Sequence, residues 1–193
     1  MTYCSTKRKV ILITDGDRAA RKSIEKVAEL VGGRCISLSA GNPTPVSGED
    51  IVQLVKATLC DPVLVMFDDR GKIGQGKGEQ AMDYVIKHPD IEVLGVVAVA
   101  SNTEHAKELS VDISIDRYGH IIDGSVNKEG FPSIGGLSGD TVEVLENEEV
   151  SLIIGTGDTG KMDGCDNSIK GSPITLKAVE EILARSGFHV GKS

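Results

Sequence analysis

Asp15 and Asp17 stand two residues apart at the end of an apolar run, Val10-Ile11-Leu12-Ile13-Thr14, with Gly16 between them to permit a sharp turn. Two carboxylates at the C-terminal end of a strand suit a hydrated Mg2+, or a phosphate-bearing ligand bridged by a metal. Alone they repel each other, and a divalent cation or the neighbouring Arg18 relieves that cost. A purely structural use competes with this one: Asp17 caps the helix that follows and Asp15 orders the turn.

A second acidic pair, Asp68-Asp69, closes the apolar run Val63-Leu64-Val65-Met66-Phe67. Adjacent residues point apart, so one of the two, taken as Asp68, is expected to face Asp15 across neighbouring strand ends. Arg70 can neutralise the other. The glycine-rich stretch that follows carries Gly71, Gly74, Gly76 and Gly78 with Lys72 and Lys77. Backbone N–H groups of such a loop can wrap an anion, although a solvated loop has the same composition.

The third constellation is Gly155-Thr156-Gly157-Asp158-Thr159-Gly160-Lys161, again after an apolar run. Its spacing fits both G-x-G-x-x-G and the G-x4-G-K part of a phosphate loop. Met162 replaces the Ser or Thr that would reach Mg2+, and Asp163-Gly164 interrupts the helix both motifs need. A nucleoside-triphosphate site is therefore set aside, and an anion or partner loop is expected. The candidate metal ligands are Asp15, Asp17 and Asp68. The candidate anion-binding set is Gly74, Gly76, Gly157, Asp158, Gly160 and Lys161. No serine sits in a G-x-S-x-G elbow, and no histidine pairs with a nucleophile in the sequence. Cys4, Cys35, Cys60 and Cys165 form no C-x-x-C pair, which argues against zinc and for reduced thiols.

These residues need a scaffold, and the hydrophobic periodicity supplies one. Strands are expected over residues 9–14, 34–38, 63–67, 91–100 and 150–154, with short ones at 112–115 and 120–122 around a turn at Tyr118-Gly119. Helical spacing links Ile24, Val27, Ala28 and Val31, then Ile51, Leu54, Val55 and Thr58, then Ala81, Met82, Val85 and Ile86, then Ala178, Val179, Ile182 and Leu183. A short helix is expected at 103–109, one or two helical turns at 140–146, and loops at 131–139 and 155–171. Ser47 with Asp50 forms an Asp version of a capping box. Ser172 reads as the cap of the last helix, Pro173 as its first residue and Gly187 as its stop. The βα alternation implies a Rossmann-like three-layer α/β fold with a mostly parallel central sheet. The whole of 1–193 reads as a single α/β domain, with 116–149 an irregular glycine-containing subregion. The strand ends of such a sheet share one edge, so the three loops are expected around one cleft.

Composition narrows the function classes. The core must be aliphatic, since the 193 residues include no Trp, three Tyr and three Phe. A formal charge of −8 argues against a broad nucleic-acid surface. No stretch approaches the ~20 apolar residues that span a bilayer. The basic first residues meet Asp15 too soon for a signal peptide, so a soluble chain is expected. No helix carries a second complete apolar stripe, which leaves homo-oligomerisation open.

Over its whole length the chain resembles the soluble stage V sporulation protein AE family of spore-forming Firmicutes. The likeness runs through Val10-Ile11-Leu12-Ile13-Thr14-Asp15-Gly16-Asp17-Arg18-Ala19-Ala20 and Val65-Met66-Phe67-Asp68-Asp69-Arg70-Gly71, and continues in Gly155 to Gly164. It implies an accessory role in spore germination, with the dipicolinic acid channel proteins of stage V sporulation as partners, at the periphery of the inner spore membrane. It implies no catalytic residues. Locally, Asp15-Gly16-Asp17-Arg18-Ala19 is similar to the metal-binding aspartate segment of Toprim domains, which suggests a Toprim-like first half. That family also uses a glutamate upstream, and none of the fourteen residues before Asp15 is Glu. Nuclease, primase and strand-passing chemistry is disfavoured accordingly. A non-catalytic accessory protein binding a small anion or Mg2+ is the leading expectation. A Mg2+-dependent phosphotransfer or phosphoester-hydrolysing enzyme is the alternative.

Overall fold

The computed structural model describes residues 7–70, 76–101, 108–139 and 141–189. Its elements in chain order are β1 (Arg8–Ile13), α1 (Arg18–Leu30), β2 (Arg34–Cys35), α2 (Gly48–Ala57), β3 (Val63–Met66), α3 (Lys77–Lys87) and β4 (Ile91–Val99). Then come the short strands β5 (Glu108–Leu109), β6 (Ile113–Ile115), β7 (Ile121–Ile122), β8 (Ser125–Val126), β9 (Pro132–Ser133) and β10 (Leu137–Ser138). The chain closes with β11 (Ile153–Thr156) and α4 (Pro173–Ser186). Seven strands form the main sheet in the order β2-β3-β1-β4-β11-β6-β7. All its pairings are parallel except β6 with β7, and both outermost strands are two residues long.

Side-chain alternation divides the core. Val10 and Leu12 of β1 and Val63 and Val65 of β3 face Ile51, Val55, Met82 and Val85 of α2 and α3. Ile11, Ile13, Leu64 and Met66 face the opposite way, toward Ile24 and Val27 of α1 and Ala178, Val179 and Ile182 of α4. Both faces of the central strands are thus apolar, as a sheet covered by helices on each side demands. The mostly parallel α/β architecture expected from periodicity is present.

Several local expectations change. The second strand stops at Cys35 because Ser39 bends the chain into a turn at Ser37–Ser39: its hydroxyl donates to Ile36 O and accepts the Met66 N–H. The helix expected at 103–109 falls largely outside the described residues, and Glu108–Leu109 is strand, paired with β10 through Leu109 and buried Leu137. Residues 131–139 are not simply loop, since they contain β9 and β10. Glycine serves close approach there: a Cβ at Gly136 would lie 2.7 Å from Glu108 Cβ. The last strand runs two residues further than expected, to Thr156.

The largest correction concerns the start of α4. Ser172 has left-handed backbone and makes no cap hydrogen bond; its buried hydroxyl has no partner among the described residues. The cap is Asp166, whose carboxylate accepts from the N–H groups of Ile174 (2.9 Å) and Thr175 (3.0 Å) and from the Thr175 hydroxyl (2.6 Å). Asp166→Ala should therefore cost about 3 kcal/mol, leaving buried donors unpaired. Ser172→Ala should stay within about 0.5 kcal/mol of the parent, or stabilise. Thermal denaturation of the two variants checks the assignment, and reversed magnitudes would refute it.

Candidate cation site at the strand ends

β1 and β11 lie on either side of β4, so their C-terminal turns flank the end of β4 at Val99, Ala100 and Ser101. Between them opens a polar cavity of about 140 Å3 lined by Asp15, Asp17, Asp68, Asp158, Lys128 and Lys161, among others. Asp15 and Asp17 follow β1, Asp68 follows β3, and Asp158 follows β11 by two residues. The expectation of one shared cleft holds for all three strand ends.

Asp17 serves as both cap and site residue. One oxygen accepts from the N–H groups of Ala19 (2.7 Å) and Ala20 (3.0 Å), opening α1. The other pairs with the Lys161 ammonium. Asp15 orders the turn by accepting the Asp17 N–H at 3.2 Å. It is only 8% exposed, and its second oxygen accepts no hydrogen bond among the described residues. Gly16 is required by proximity, since a Cβ there would lie 2.7 Å from the Gly41 carbonyl.

Lys161 sits among the acids. Its ammonium is bound by Asp17 and by Asp158 at 2.8 Å, and Asp158 also faces Lys128 at 3.7 Å. Burial would lower the Lys161 pKa, but the carboxylates of Asp158 and Asp17 outweigh it and hold the ammonium above its ordinary range. Desolvation acts upward on Asp17, and the Lys161 contact overrides it, leaving this carboxyl below its usual value. Asp15 makes no ion pair among the described residues, and the Lys161 charge offsets its burial only in part. Burial, reinforced by the Asp17 charge, pushes its pKa up to about 8.

Carboxylate oxygens of Asp15, Asp17 and Asp158 lie within 4.8 Å of one another, close enough to share one divalent cation. Asp158, assigned from sequence to the anion loop, thus joins the metal-type cluster. Asp68 forms a wall, its oxygens accepting the Gly16 N–H (3.3 Å) and the Arg70 N–H (2.8 Å). Lys128, from the irregular middle of the chain, had no motif to announce it. Asp158 had one overlooked signal: it stands two residues beyond its strand, as Asp15 does beyond β1.

Where the expected anion loops are described, several of their backbone amides bond to the protein itself. Asp69 places its carboxylate against the Gly78 N–H (2.6 Å) and the Glu79 N–H (2.8 Å) at the start of α3. A Cβ at Gly76 would lie 2.1 Å from that carboxylate, so this glycine admits Asp69. Gly74 lies outside the described residues. In the third loop, the Gly160 N–H donates to Asp166 (2.8 Å), the Asp158 N–H to Lys128 O (2.8 Å) and the Lys161 N–H to Asp158 O (3.1 Å). Gly157 allows that approach, since a Cβ there would lie 2.7 Å from both Lys128 O and the Gly130 nitrogen. These amides hold the loop's shape. The ligand-facing chemistry rests on its side chains, Asp158 and Lys161.

Comparison with protein-family models matches residues 9–186 to Stage V sporulation protein AE1. The chain belongs to that family, which associates it with sporulation and germination. Comparison with curated proteins found no match, and comparison with solved structures found none either.

The Asp15 proton gives the site a pH signature. Between the ordinary carboxylate value of 3.8 and about 8, the folded protein holds this proton and the unfolded chain does not. Stability from this group is therefore full at low pH and is lost as pH rises toward 8. Against Asp15→Asn, the parent should lose about 1.4 kcal/mol, or roughly 3 °C in Tm, per pH unit between pH 5 and 7.5. Paired melting curves would measure this, and a pH-independent difference would contradict it.

Proposed function

Starting from membership in this family, we propose that the chain is a non-catalytic accessory protein of spore germination. It acts with the other stage V sporulation channel proteins of dipicolinic acid movement, at the periphery of the inner spore membrane. Its cleft binds Mg2+ through Asp15, Asp17 and Asp158. The family match over residues 9–186 is the observation that carries the germination role. Among the described residues, no helix is long and apolar enough to cross a membrane, so contact with channel proteins would run through the protein's surface.

The non-catalytic reading draws on how the cleft residues are employed. Asp17 caps a helix, Lys161 neutralises two acids, and the Thr14 hydroxyl accepts the Val99 N–H at 2.9 Å. One observation favours a Mg2+-dependent phosphoester hydrolase instead: a three-acid cluster at the strand ends, of which Asp15 is buried. In that rival, these acids would hold the ion that polarises a phosphoryl oxygen.

Three measurements separate the readings. Mg2+ should shift amide resonances around Asp15 and Asp158 at millimolar concentration, and Asp15→Ala should remove that response while the fold persists. Absence of any response would refute the cation site. Reconstituted with the channel proteins in vesicles, the chain should co-sediment with them; failure to do so would count against the accessory role. Mg2+-dependent hydrolysis of p-nitrophenyl phosphate that disappears in Asp15→Asn would replace that role with the enzymatic one.

A further inference from the structure

Asp158 is the shared counter-ion of two ammonium groups, Lys161 at 2.8 Å and Lys128 at 3.7 Å. It is also one of the three carboxylates that can meet around a cation. A dication and the Lys161 ammonium compete for this ring of oxygens, because both draw on Asp17 and Asp158 and like charges a few ångströms apart repel. A cation drawing on Asp17 and Asp158 would therefore weaken the hold of those acids on both lysines. Asp15 lines the same cavity, is buried, and has a second oxygen that accepts no hydrogen bond among the described residues, leaving a ligand atom that a cation would satisfy by displacing the Asp15 proton.

A place for the released charges lies next door. The acidic cavity shares Ala100, Ser101 and Lys128 with a second cavity of about 440 Å3. That chamber is edged by Asn127, Ser133 and Ser138 from the β8–β10 region. Among the described residues, its charged groups are Lys128 and Glu108, whose carboxylate accepts the Gly136 N–H at 3.0 Å. Together the two chambers fall within the size of small-molecule sites.

We propose that the cleft is an ordered two-part site: a divalent cation enters the Asp15, Asp17 and Asp158 cluster first, and Lys128, which lines both cavities and is then freed from Asp158, binds a small oxyanion in the adjoining chamber. This rests on the cation reading given above and adds the second ligand and its order. Phosphate is the simplest probe of an oxyanion, since lysine recognises it as a point charge.

Isothermal titration of the full chain tests the proposal, with Mg2+ and inorganic phosphate as probes and protein-free titrations as controls. Phosphate should bind about tenfold or more tightly when Mg2+ is present than when it is absent. Lys128→Met and the more conservative Lys128→Gln should both weaken phosphate binding without weakening Mg2+ binding. Lys161→Met should tighten Mg2+, because the internal competitor for Asp17 and Asp158 is gone. Circular dichroism of each variant confirms that it is folded. Mg2+ binding with no phosphate binding would overturn the two-part site and leave the cation reading standing. So would phosphate affinity that ignores Mg2+, or that ignores both Lys128 variants. Failure of Mg2+ itself to bind would remove both readings together.

Discussion

Lys161 joins what the chain keeps far apart. Through Asp17 its ammonium reaches the turn after the first strand, and through Asp158 the loop after the last. β4 lies between those two strands, so without this bridge two acidic turns would face each other across its end with little to balance them. Each contact alone, partly exposed to water, would contribute little to stability. Their joint effect is geometric. They gather three carboxylates into one small space and keep that space neutral enough to fold.

The protein answers the demands of its helix ends with carboxylates borrowed from elsewhere in the chain. Asp69 reaches the start of α3 and Asp166 the start of α4, each against buried first-turn N–H groups where negative charge is favoured. Asp166 does double duty, since it also holds the Gly160 N–H and so fixes the loop bearing Lys161. The site therefore depends on α4 docking correctly, and α4 depends on the site loop.

How legible this was in the sequence follows from distance along the chain. The Ser47 cap is visible because cap and helix are three residues apart, and the structure has it, with the Ser47 hydroxyl accepting the Asp50 N–H and donating to the Asp50 carboxylate. Asp69 and Asp166 act eight to ten residues away, beyond the reach of a local motif, so Ser172 was credited with a role it does not play. The buried strands and their alternation were plain from apolar runs. The third carboxylate was not, because pairing Asp158 with Asp15 requires knowing that β11 lands two places from β1 in the sheet. Lys128 was out of reach altogether, since short strands of two residues leave no periodicity to read.

The two outermost strands of the sheet carry a last implication. β2 and β7 each offer only two residues of backbone at the margins. Such stubby borders give an incoming polypeptide almost nothing to zip onto, which discourages runaway stacking of one molecule on the next. Among the described residues, the margins of this sheet favour recognition through side chains and loops over recognition by extension of the sheet.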